Sequence, residues 1–126
     1  MSDSMQTHGS FSWMELYSGD GSKAKAFYTD LLGWGTEDME MPGAAYTVIT
    51  NAGDKVGGFP PMAAEQARWL PYVTVDDVDA RVQKAKSLGA TILAEPFSVP
   101  GVGRMVTISD PVGGVIALIT YESMQG

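Results

Sequence analysis

Alternating apolar and polar positions begin at FSWMELY, residues 11–17, where Trp13, Glu15 and Tyr17 interleave with Met14 and Leu16. Alternation of this kind predicts a strand with two unlike faces. The Met14–Leu16 face reads as core, while the other face sets a carboxylate between two large rings. Asp20-Gly21-Ser22 offers N-cap candidates, and SKAKAFYTDLL (22–32) places apolar residues at Ala24, Phe27, Tyr28, Leu31 and Leu32, the spacing of a helix with one apolar stripe. Gly33 supplies a C-terminal stop. An acidic, Met-containing stretch follows at 34–41, then a turn at Pro42-Gly43 and a β-branched strand, AYTVIT (45–50). A turn at 51–54 leads into KVGGF (55–59), a short strand weakened by its glycines.

The order then starts again. WLPYVTV (69–75) reads as a strand, Asp76 as an N-cap with Asp79 completing a box-like pair, and 77–88 as a helix with Val78, Val82, Ala85 and Leu88 inward. Gly89 ends it. TILA (91–94), residues 104–109 and residues 114–121 read as strands, separated by turns at Pro100-Gly101 and at 110–113. Leu32-Gly33 matches Leu88-Gly89, and Pro42-Gly43 matches Pro100-Gly101, at nearly constant offset. Recurrence of this kind is an internal duplication. The expected fold class is α+β, two tandem βαβββ modules at 11–59 and 69–121. PPMAAEQAR (60–68) links them, and polar tails at 1–10 and 122–126 complete one structural domain. Each module alone buries only the helix face of its sheet, so the two are expected to form a curved mixed sheet with helices outside and a free concave face.

Bulk properties narrow the chemistry. The 126 residues are 44% hydrophobic and 18% charged, as in a globular domain. No apolar run approaches the ~18 residues of a membrane span. MSDSMQTHGS lacks the basic and apolar regions of a signal peptide, so a cytoplasmic location is expected. Without cysteine, disulfides and thiolate chemistry are excluded. A formal charge of −7 argues against nucleic acid and against an anionic leaflet as partners. The single histidine, His8, near a terminus expected to be loose, cannot supply the two or three that most catalytic transition-metal sites use. No metal and no cofactor are expected. Gly101-Val102-Gly103 and Val112-Gly113-Gly114 open no helix after a strand and read as turns, not phosphate loops.

KAFYTDLLGW (25–34), VDDVDARVQKAKSLGA (75–90) and PGVGRMVTISDPVGGVIALI (100–119), set in the paired βαβββ order, resemble the vicinal oxygen chelate superfamily. That group includes glyoxalase I, bleomycin-resistance proteins, fosfomycin-resistance enzymes and extradiol dioxygenases. The resemblance covers residues 11–121. It implies that the ligand positions of the metal-dependent members fall on Trp13, on Leu70 (Trp69 after a one-residue slip), on Gly57 within one residue, and on Ala117. None is His, Asp or Glu.

Alternation places Trp13, Glu15 and Tyr17, then Leu70, Tyr72 and Thr74, then Val115, Ala117 and Ile119 on the concave face. Trp13 reads as a stacking wall or as filler, Trp69 as a cap on the linker end. Glu15 is a candidate general acid or base; against that, it could sit at the rim or pair with Arg104. Tyr46 and Arg104, two-fold related by the offset, could each hydrogen-bond a ligand. The leading expectation is a metal-free protein that binds a small apolar or aromatic molecule through Trp13, Tyr46, Leu70, Tyr72, Arg104 and Ala117. The rivals are an enzyme and a structural module with a vestigial cavity. The enzyme would be a cofactor-independent lyase or isomerase using Glu15, or a metalloenzyme of glyoxalase or dioxygenase type with ligands placed elsewhere. Three Trp and eight Met leave apolar surface that a homodimer would cover.

Overall fold

The computed structural model describes residues 3–41, 44–61 and 64–122. The expected turn at Pro42-Gly43, part of the linker and most of the C-terminal tail lie outside the described residues. A 3-10 turn (Asp3–Met5) precedes β1 (Phe11–Tyr17), α1 (Gly21–Leu32), β2 (Gly35–Met41), β3 (Ala44–Asn51) and β4 (Asp54–Phe59). Then come β5 (Arg68–Thr74), α2 (Val78–Ser87), β6 (Thr91–Val99), β7 (Gly103–Ser109) and β8 (Val115–Tyr121). This is the expected α+β order, βαβββ twice.

The chain forms two compact units. One is Trp13–Leu70; the other joins the N-terminal residues up to Ser12 to those from Pro71 onward. Strand order is the same in both: β2-β3-β4-β1 in the first, β6-β7-β8-β5 in the second. In each, the first strand runs parallel to the last, with Glu15 opposite Gly58 and Tyr72 opposite Ala117. The remaining pairs are antiparallel.

In the first unit, Asp20 caps α1 by accepting from the Lys23 N–H, and Gly33 ends it at φ 74°, a left-handed conformation that glycine adopts without strain. Leu16, Ile49 and Phe59 form the core, with Ala24 and Tyr28 of α1 packed against it. The stripe the sequence predicted is therefore narrower than expected: Phe27, Leu31 and Leu32 are all exposed. Tyr28 stacks on Trp34 at 5.6 Å and meets Trp69 edge-on at 5.4 Å. Trp69 thus anchors an aromatic cluster, and such pairs add about 0.5–1.5 kcal/mol each beyond area burial.

In the second unit, Val75, Val78, Val82, Val106 and Ile108 form the core between α2 and its sheet. Leu88, expected inward, is exposed. The cap is Asp77, which accepts from the Ala80 N–H, not Asp76. Asp76 instead receives both the Nε and the Nη2 of Arg81 at 2.9 Å. β6 is longer than the predicted TILA and slips register twice along β7. It is the terminal strand of its sheet, where Pro96, lacking an N–H, is tolerated.

Residues 4–10 are tied to Thr74 and Asp76 where the sequence suggested a loose tail. Gly9 and Ser10 exchange backbone hydrogen bonds with Thr74, and the Thr74 hydroxyl donates to the Ser4 carbonyl at 2.7 Å. The His8 Nδ1 accepts from the Asp76 N–H at 3.0 Å. The lone histidine is a backbone acceptor that fixes the approach to α2. Among the described residues, no helix is long and apolar enough to cross a membrane.

Candidate functional site: a carboxylate between two phenols

Residue parity fixes which side chains share a face. Leu16, Ile49 and Phe59 point toward α1, so Trp13, Glu15, Tyr17 and Tyr46 lie on the opposite face of that sheet. Glu15 is 8% exposed there. Burying a carboxylate costs several kcal/mol unless donors meet it. The donors here are phenols. Tyr17, two residues on along the same strand, donates to Oε1 at 2.9 Å, and Tyr46 from β3 donates to Oε2 at 2.7 Å. The Trp13 indole N–H in turn donates to the Tyr46 oxygen at 3.0 Å. The result is a chain from indole to phenol to carboxylate, closed by a second phenol. Burial, then the charge of Glu15 and the bond donated to it, push the Tyr46 phenol well above the usual tyrosine range.

Gly58 makes this geometry possible. A Cβ at that position would lie 2.2 Å from the Tyr46 oxygen and 2.3 Å from its Cε1 and Cζ. The ring occupies the space a side chain would take, directly over the backbone opposite Glu15. Sequence reading treated KVGGF as a strand weakened by glycine. The available signal was that an isolated glycine doublet in a strand marks close approach of another group.

The other expected site residues fare differently. Leu70, Tyr72 and Ala117 have the predicted parity, but they are 2%, 6% and 1% exposed. They fill space and present no ring face to solvent. Arg104 is a correction. It shares parity with Val106 and Ile108, which pack toward α2, so it lies on the helix side of its sheet. Its guanidinium grips both carboxylate oxygens of Asp79 at 2.8 and 2.9 Å and reaches Ser98 at 3.2 Å. It is thus engaged by Asp79, not by Glu15. By the same parity, Met105, not Arg104, takes the place of Tyr46 in the second module. The assumed offset was one residue short, and a one-residue slip moves every side chain to the other face.

Two clefts open on the helix sides. One, of about 390 Å³, lies at the start of α1 between Ser22, Lys25, Asp38 and Thr47. The other, of about 280 Å³, lies at the start of α2 beside Asp76 and Arg104. Sequence reading singled out neither.

The profile of the Glyoxalase/Bleomycin resistance protein/Dioxygenase superfamily matches residues 10–118. The chain belongs to that superfamily. It is 37% identical over 117 residues to CFP32 of Mycobacterium tuberculosis (strain CDC 1551 / Oshkosh), a protein provisionally named a glyoxylase; the match covers 87% of this chain and 45% of that protein. It is 29% identical over 138 residues to the anthracycline biosynthesis protein DnrV of Streptomyces peucetius, covering 94% of this chain and 49% of the other. The chain thus spans about half the length of the curated relatives it matches. Its fold is similar to that of methylmalonyl-CoA epimerase from Mycobacterium tuberculosis, with a TM-score of 0.65 at 17% identity over 91% of this chain and 89% of the other.

Metal-dependent members of the superfamily need converging donors. Here the positions the resemblance implies are Trp13, Leu70 (or Trp69), Gly57 within one residue and Ala117, and none of them is His, Asp or Glu. Both oxygens of Glu15 accept phenol hydrogen bonds. Among the described residues, no three of His, Cys, Asp and Glu come together. The side chains at these positions do not fit a metal ion.

Proposed function

We propose that this chain is a metal-free small-molecule binding module of the glyoxalase/bleomycin-resistance type, holding an apolar or aromatic ligand against the helix-distal face of residues 13–70. The observation that carries this reading is the Trp13–Tyr46–Glu15–Tyr17 network. It puts a half-buried indole and two phenols around a fixed carboxylate on one face of the sheet. Pockets for small molecules combine apolar and aromatic walls with a few placed polar groups. The likeness to DnrV agrees with a flat aromatic ligand, since anthracyclines are polycyclic aromatics. Titration with a panel of aromatic compounds, followed by the Trp13 indole N–H resonance and by affinity in Trp13→Ala, tests the reading. A panel that leaves the resonance unmoved, or a bound compound whose affinity Trp13→Ala leaves unaltered, refutes it. Chelator dialysis is expected to leave ligand affinity and melting temperature unchanged.

A second reading, a cofactor-independent lyase or isomerase, draws on the 2.7 Å Tyr46–Glu15 contact, in which a phenol proton faces a carboxylate. Glu15 would move a substrate proton and Tyr46 would orient it. On this reading Glu15→Gln abolishes turnover, and a variant with full turnover removes Glu15 from the chemistry.

A further inference from the structure

The inference that follows rests on the binding reading and names the chemistry of the ligand. We infer that the Trp13–Glu15–Tyr17–Tyr46 face takes an organic ammonium, a protonated amine carried on a small apolar or aromatic body. Three aromatic rings gather around one carboxylate within residues 13–70, and every aromatic ring carries negative charge on its π faces. The four groups therefore share one electrostatic preference. A carboxylate or phosphate ligand would meet the Glu15 charge and the ring faces together, and would be repelled by both.

The chain already places a cation on this system. The exposed Arg68 holds its guanidinium 5.8 Å from the Tyr17 ring centroid, inside the roughly 6 Å range of a cation–π contact. The same Tyr17 donates its hydroxyl to Glu15. One phenol thus links the buried anion to a ring on which a cation rests. Hydrogen bonding to the carboxylate leaves electron density on the phenol oxygen and ring, which strengthens attraction for positive charge. An incoming ammonium would use the kind of feature that Arg68 uses, with the Trp13 indole, the strongest cation–π partner among the side chains, on the same face of β1. The formal charge of −7 draws cations toward the protein as a whole.

The test compares benzylammonium, benzyl alcohol and benzoate, which share size and ring but differ in charge. Binding is read on the Trp13 indole N–H cross-peak, assigned by its loss in Trp13→Phe. Benzylammonium is expected to bind about tenfold tighter than benzyl alcohol, with benzoate weakest. Glu15→Gln is expected to bring the first two affinities together. Tyr17→Leu, which removes both the ring beneath Arg68 and the bond donated to Glu15, is expected to weaken benzylammonium by a larger factor than benzyl alcohol. Equal affinities for benzylammonium and benzyl alcohol in the native chain overturn this inference while leaving the binding reading standing. Benzoate binding as tightly as benzylammonium overturns it too. An indole resonance indifferent to all three overturns both.

Discussion

Replacing Gly58 by alanine adds one methyl group at the point where the Tyr46 ring crosses the backbone. That Cβ would sit 2.2–2.3 Å from three Tyr46 atoms, well inside the ~3.5–4.0 Å of a comfortable carbon contact. Gly58 is not among the residues at positive φ, so alanine can adopt its backbone, and the three nearest contacts of its methyl group are all with the ring. The ring must move by more than an ångström, and its bonds to Glu15 at 2.7 Å and from Trp13 at 3.0 Å cannot both survive. A hydrogen bond to a charged group contributes about 1.5–3 kcal/mol and a neutral one about 1. Overpacking alone costs about 1–3 kcal/mol. Since displacement of the ring relieves the clash as it breaks the bonds, the two costs overlap, and a net loss of about 2–4 kcal/mol is expected. Urea unfolding of the native chain, Gly58→Ala, Tyr46→Ala and the double variant closes a thermodynamic cycle. With the ring gone, Gly58→Ala should cost less than about 0.5 kcal/mol, or stabilise slightly by restricting the unfolded chain. A glycine substitution equally costly in both backgrounds would refute the idea that Tyr46 occupies the missing side chain's space.

The Tyr46 phenol should not ionise with the ordinary tyrosines in an alkaline absorbance titration, and Tyr46→Phe should leave the ordinary step unchanged. Its raised folded value means that its contribution is complete below the unfolded value of about 10 and is lost as pH rises above it; a Tyr46→Phe chain should lose less stability over that interval. Asp76, held to about 2 chiefly by its hydrogen bonds from Arg81, contributes above the usual carboxylate range and loses that contribution as pH falls toward about 2. A carboxyl-carbon NMR titration should find this midpoint, and Arg81→Gln should return it toward the ordinary value. Val106→Ala, at a site with 0% exposure between α2 and its sheet, should cost about 2 kcal/mol in denaturant unfolding. A loss below about 0.5 kcal/mol would show that the core collapses around the cavity.

Local periodicity and turn chemistry carried the order of elements. The strand at 11–17 has the predicted bounds, and α1 begins one residue before the predicted 22–32. Gly33 is the left-handed stop its place in the pattern required. These features depend on neighbours three or four residues apart, which the sequence displays directly. The faces of β1 were legible for the same reason, since alternation alone sets Trp13, Glu15 and Tyr17 apart from Leu16. The resemblance in residues 25–34 and 100–119 agrees with the superfamily match over 10–118.

What alternation cannot supply is register between strands distant in sequence. The Tyr46–Arg104 equivalence failed by one residue, and at a period of two that error sends Arg104 to Asp79 on the helix side. Nor could the sequence say which acid caps α2, because Asp76, Asp77 and Asp79 all suit the role locally. Only the placement of Arg81 and Arg104 assigns two of them to ion pairs and leaves Asp77 for the helix. His8 became an acceptor for the Asp76 N–H only because the N-terminal segment pairs with Thr74. The partners of Glu15 were likewise a tertiary outcome. Alternation within seven residues was enough to stand a carboxylate between Trp13 and Tyr17 on one face of a strand. That Tyr46, 31 residues away, reaches it follows only from the folded sheet, where the parallel pairing of β1 and β4 sets Gly58 beside Glu15 and leaves room there for a ring.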